Sequence, residues 1–182
     1  MGPTLPAHRL PQLTGRLPIP AQTRTSTAPL LDAFNTLPAE EAHTTLLACL
    51  HSPRWARRVS DHRPYPTVEA LLAASDEAAY DLTAADLAEA LASEALPALP
   101  DDAYEAAHMA LGAAQAAYLT RFGHVFVICL DGVPPDETLD FALESIRSRL
   151  TNDPEEERVV AAEELRRLAR GRLVSHLRGA RP

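Results

Sequence analysis

From Leu30 onward, apolar residues recur at helical spacing between short polar breaks. Pro38, followed by Glu40 and Glu41, reads as a helix start: proline suits a first turn, and carboxylates suit the positive end of the helix dipole. That helix should run to about Leu50, with Pro53, Pro64 and Pro66 interrupting the chain beyond it. Thr67 is placed to cap a second helix carrying Leu71 and Leu72. Thr83, with Asp86 three residues on, is a capping-box variant opening a third, in which Leu87 and Leu91 share a face. Pro97 and Pro100 then break the chain, and Asp101 or Asp102 should cap a long helix ending near Phe122.

Beyond that point Asp136 is the expected cap for a helix whose Leu139, Leu143, Ile146 and Leu150 form one apolar stripe facing the core. The last helix has Asp153 as cap, Pro154 at its first position and Glu155 to Glu157 in its first turn, and it should end among Arg178 and Arg181. These patterns predict an all-α fold: a single-domain helical bundle of about six or seven helices spanning residues 30–178.

Two segments fall outside the pattern. Residues 1–29 carry six prolines among Thr, Arg and Gln without a sustained apolar period, and are expected to form a disordered tail. Val125 to Cys129 form a β-branched and apolar run that resembles a strand, with no second such run to pair with. A buried extended segment of this kind must satisfy its N–H and C=O groups elsewhere. Side chains, water, another segment and a ligand are the alternatives.

Composition narrows the classes of function. The chain has 182 residues, 46% of them hydrophobic, enough for one core. All 17 basic residues are Arg and none is Lys, as a GC-rich coding bias would produce. Against 25 carboxylates they leave a net charge of -8, which repels a phosphate backbone, so nucleic acid is not an expected partner. No apolar run is long enough for a membrane span and the N-terminus lacks the order of a signal peptide; a cytoplasmic location without membrane association is expected. Cys49 and Cys129, the two cysteines, both sit in apolar runs and read as small hydrophobes, and no metal site or cofactor is expected.

The stretch FGHVFVICLDG, Phe122 to Gly132, together with RLTNDPEEERVVAAEELRRLARGRL, Arg149 to Leu173, resembles the C-terminal half of the 2-oxo-4-hydroxy-4-carboxy-5-ureidoimidazoline (OHCU) decarboxylases. Those enzymes form (S)-allantoin in the last step of urate breakdown. FNTLPAEEA, CLHSPRW, RPYPTVEALLAASDEA and LTAADLAEAL follow the family's N-terminal half in order, so the resemblance runs from Phe34 to Leu177.

The resemblance implies that Phe126, Val127, Ile128, Cys129 and Leu130 line a site and offer main-chain groups to a hydantoin-like ring bearing a carboxylate and a ureido arm. It implies that Arg172 approaches the ligand's polar groups. Arg172 also lies four residues after Leu168 and seven after Leu165, on the same face as Ala161 and in the middle of an apolar stripe, where a guanidinium needs an anion or a carbonyl. A structural salt bridge to a core-edge Glu is the alternative partner. The resemblance further implies a homodimer, for which the Ala-rich helix faces offer packing surfaces.

Two motifs depart from the family. After Asp86, Glu89 and Ala90, which match its Asp-x-x-Glu-Ala helix, the enzymes carry a catalytic His-Pro pair; aligned without gaps, Glu94 stands at the His position. The family's following Ser-x-x-Glu-Gln motif has no counterpart between Pro97 and Asp102. Glu94 reads either as a solvated carboxylate at a helix end or, if burial made it a proton donor, as a substitute acid. His124 and His108 are the other acid–base candidates. The expected functions are a decarboxylase of purine catabolism with an altered site, or a catalytically inactive relative acting as a ureide-binding or protein-interaction module.

Overall fold

The structure, a computed structural model, describes residues 28–95 and 105–179. Of the expected tail, residues 1–27 lie outside these residues, as do the Pro97, Pro100, Asp101 and Asp102 readings, whereas Ala28 and Pro29 belong to the first helix. Eight helices form among the described residues: α1 Ala28–Thr36, α2 Ala39–Cys49, α3 Pro53–Asp61, α4 Val68–Tyr80, α5 Ala84–Ala92, α6 Glu105–Phe122, α7 Thr138–Arg149 and α8 Pro154–Leu177. The all-α expectation holds, with a slightly higher helix count. None of these helices is long and apolar enough to cross a membrane.

Local chemistry explains the starts. The Thr83 hydroxyl accepts from the Asp86 N–H, and the Asp86 carboxylate accepts from the Thr83 N–H in return, closing the predicted capping box of α5. At α8 the Asp153 carboxylate accepts from the N–H groups of Glu155 and Glu156, both at 2.9 Å. Helix α3 was hidden by its sequence: Arg54, Arg57 and Arg58 surround the Trp55, Ala56 and Val59 stripe that it buries. Its Ser52 cap and first-position proline are the signal that could have found it. The Asp136 cap is corrected. Pro134 to Glu137 make a turn closed by the Glu137 N–H to the Pro134 carbonyl at 3.0 Å, and α7 begins only at Thr138, with no side-chain cap.

Helix α8 is the central element, packing against α1, α2 and α4, while α6 and α7 pair beside it. The burial resolves into two apolar clusters. One gathers α1 to α5 around the inner face of α8, with Leu46, Trp55, Leu71, Leu165 and Leu173 at its centre. The second lies between α6 and α7, from Leu111, Tyr118, Ala142 and Ile146.

The segment predicted as extended, Val125 to Cys129, is neither helix nor strand, continues in that form to Leu130, and runs between the two clusters. Its side chains alternate: Phe126 and Ile128 enter the α6–α7 cluster, and Val127 enters the larger one. That alternation, not strand pairing, holds the segment in place.

Gly112, in the interior of α6, meets nothing within 4 Å where a Cβ would stand. Gly112→Ala should therefore stabilise the protein by about 0.5–1 kcal/mol, read as a raised urea midpoint at unchanged slope.

Candidate functional site

The extended segment is supported from beneath by a buried polar group of four residues. Glu157, in the first turn of α8, is fully buried, and Arg149, the last residue of α7, nearly so. Arg149 donates from Nε and Nη2 to Glu157 Oε1 at 2.9 and 2.6 Å, and from Nη1 to the Val127 carbonyl at 2.7 Å. Tyr118 donates its hydroxyl to the same carboxylate oxygen, and Asn152 Nδ2 donates to Oε2 at 2.9 Å. The Arg149 guanidinium also stacks over the Phe126 ring, 4.6 Å from its centroid. Burial, reinforced by the bond to Glu157, pushes the Tyr118 hydroxyl far above its ordinary pKa, so it stays a neutral donor.

A second support stands two residues on. Glu164 Oε2 accepts the Cys129 N–H at 2.7 Å. Side chains of α7 and α8 thus answer part of the question that a lone extended segment raises. Further along, the Asp131 carboxylate lies against Gly171, so close that a Cβ there would stand 2.6 Å from Oδ2. Cys129, Asp131 and Gly171 line a cavity of about 540 Å³ that extends over Arg167, Arg170 and Arg178.

Of the residues expected to line the site, Phe126, Val127 and Ile128 are buried and spend their side chains on packing. Cys129 and Leu130 are half-buried. Two of the segment's main-chain groups are already bonded within the protein, the Val127 carbonyl to Arg149 and the Cys129 N–H to Glu164.

Arg172 lies beside the wall, on the flank of α8, with a third of its side chain exposed. Its guanidinium grips Glu94 bidentately, Nη1 to Oε1 and Nη2 to Oε2, both at 2.7 Å, and Nη1 also donates to the Cys49 carbonyl at 3.0 Å. Glu94, just past the end of α5, has a side chain only 7% exposed. It is therefore neither a solvated helix-end carboxylate nor a group with an oxygen to spare. The bond to Glu94 raises the pKa of Arg172 above its ordinary value. Burial pushes the Cys49 thiol up to about 11 and raises that of Cys129, so neither presents a thiolate nucleophile near neutral pH.

The histidines lie elsewhere. His124 sets its ring edge-on to Tyr118, 5.5 Å between centroids, and faces a different cavity of about 510 Å³ between α5, the end of α6 and the start of α8. His108 is exposed on α6. The hydrogen bond of His124 runs to the Val125 carbonyl, at 3.0 Å, and not to Arg172 or Glu94. Among the described residues no group of three or more His, Cys, Asp or Glu is placed to hold a metal ion. Arg149 and Glu157 are the structural members that sequence reasoning missed; their presence in the matched RLTNDPEEER stretch was the one available signal.

Known proteins agree with this architecture. No curated protein matches the chain. Among solved structures, it is similar to a crystal structure of (S)-allantoin synthase, with a TM-score of 0.65 and 20% identity, over 80% of this chain and 53% of that one. This chain thus spans about half the length of that protein. It is also similar to a crystal structure of OHCU decarboxylase in the presence of (S)-allantoin, with a TM-score of 0.61 and 21% identity, over 71% of this chain and 94% of that one. At these identities the likeness is one of fold. A family model described as OHCU decarboxylase matches residues 35–101 and 95–174, which together take in nearly all of the described bundle, and on that match the chain belongs to the OHCU decarboxylase family.

Proposed function

We propose that this protein is a ureide-binding member of the OHCU decarboxylase family, acting within purine (urate) catabolism, that does not turn its ligand over. The wall of main chain from Phe126 to Leu130, with Arg172 at its side, is the ligand-binding part. A hydantoin-type ring with a ureido arm, rich in carbonyl acceptors and amide donors, suits such a rigid backbone edge.

One observation carries the loss of turnover. Glu94 stands where the family's His is expected, and both of its oxygens accept from Arg172 at 2.7 Å. A general acid must reach the reacting atom with a proton to give; a carboxylate clamped on both oxygens by a guanidinium does neither. Without a positioned acid or base, the rate is expected to fall by about 10²–10⁴-fold.

The test generates the family's substrate in place from urate with the two preceding enzymes and follows the optical activity of the allantoin formed. Spontaneous decay yields racemic allantoin, so the expected result is no enantiomeric excess above a blank without this protein. An excess that scales with its concentration would establish the decarboxylase instead.

A further inference from the structure

We infer that Glu94 is an internal anion: it fills the place on Arg172 that a ligand carboxylate would take, and so makes this site select an uncharged ureide over a carboxylated one. The inference rests on the ureide-binding reading above and gives it a direction.

The geometry of the pair is that of a bound ligand. Two parallel N–H···O bonds of 2.7 Å between a planar fork and a carboxylate are how arginine holds a carboxylate guest. Here the guest is covalently part of the chain, 78 residues away in sequence. The third bond, from Nη1 to the Cys49 carbonyl at 3.0 Å, fixes the plane of the guanidinium, so it cannot swing to a second anion without breaking both contacts.

Displacing Glu94 is unfavourable. Its side chain is 7% exposed, and a guest carboxylate that took its place would leave it buried and unpaired. Binding beside it is also disfavoured. Glu94, Glu164 and Asp131 put three carboxylates along this wall; Arg172 answers one, and Arg167 approaches Glu164 only at 3.5 Å and from a mostly exposed position. Arg167, Arg170 and Arg178 border the cavity farther along, but Arg172, the guanidinium on this flank, is already neutralised, so an anion arriving beside it meets the Glu94 carboxylate. A neutral ureide brings no like charge, and its N–H groups find acceptors. Since decarboxylation removes the one charged group of the family's substrate, a site with this preference holds the decarboxylated compound in favour of its precursor.

The discriminating measurement is calorimetric binding of two stable probes, neutral (S)-allantoin and the carboxylated hydantoin-5-acetate, to the wild-type chain and to Glu94→Ala and Glu94→Gln. In the wild type, allantoin should bind at least about tenfold more tightly than the acetate. Removing the carboxylate should shift that ratio by about tenfold to a hundredfold toward hydantoin-5-acetate, and adding Arg172→Gln should abolish the gain. Glu94→Gln keeps the shape of the side chain and so reports on charge if the Ala variant fails to fold. Wild-type preference for the acetate, or an unchanged ratio in the folded variants, would overturn the inference. If allantoin binds to none of the proteins while the acetate binds only where Glu94 is gone, the internal anion stands and the ureide-binding reading falls. Binding of neither probe to any of them sinks both.

Discussion

Glu157→Ala is expected to destabilise the protein by about 3–5 kcal/mol, the largest loss of any single truncation of a charged residue here. The carboxylate is fully buried and receives bonds from Arg149, Tyr118 and Asn152. Its removal strands the Arg149 guanidinium, whose side chain is only 9% exposed, in an apolar setting against the Phe126 ring. For a domain of this size the loss corresponds to a fall in Tm of roughly 6–20 °C. The control is Arg149→Met combined with Glu157→Leu, which removes both charges and should cost less than Glu157→Ala alone. It should not be neutral, because the Val127 carbonyl loses the donor it now has at 2.7 Å. Urea denaturation of the three proteins measures this, and a loss below about 1 kcal/mol for Glu157→Ala would mean that the group is not the anchor described.

Trp55→Ala, in the larger cluster, should cost about 3–5 kcal/mol. The indole is completely buried in the larger cluster, and its Nε1–H donates to the Ser75 carbonyl at 3.0 Å, joining α3 to α4. Truncation opens a cavity in a core that cannot collapse freely, since α3 is held at its start by Pro53 and the Ser52 cap. Trp55→Phe keeps most of the packing and should lose only about 1–2 kcal/mol, mainly the hydrogen bond and part of the volume. The Trp55 and Glu157 sites share no hydrogen-bond partner, so their losses should add; a strong departure from additivity in the double variant would show that the two clusters are coupled.

What could be read from the chain was local. Asp153, Pro154 and Glu156 announce α8, and Thr83 with Asp86 announces α5, because a cap is made within four residues of the helix it starts. The extended segment was legible for a similar reason: five consecutive apolar residues, most of them β-branched or aromatic, suit no surface helix. Its two-sided role was not, since nothing in FVI says that Val127 belongs to one cluster and its neighbours to another. Buried charges were the hardest to see. Arg149 and Glu157 look like ordinary surface residues at the seam of two helices, and only the fold brings Tyr118 and Asn152 around them. Arg172 and Glu94 were each singled out, one by its stripe and the other by its departure from the family pattern. Their contact spans 78 residues and no periodicity could join them.

The extended segment meets α8 in a fixed count. Val127 reaches Glu157 through Arg149, Cys129 reaches Glu164, and Asp131 lies on Gly171, so every second residue of the segment answers every seventh of the helix. Two residues restore the same face of an extended chain, and seven restore nearly the same side of a helix. Deleting one residue between Phe126 and Asp131 would therefore turn every side chain beyond the cut to the wrong cluster and unseat the later contacts together. Side chains along this stretch can be exchanged one at a time, but a change in its length disturbs all the later contacts together.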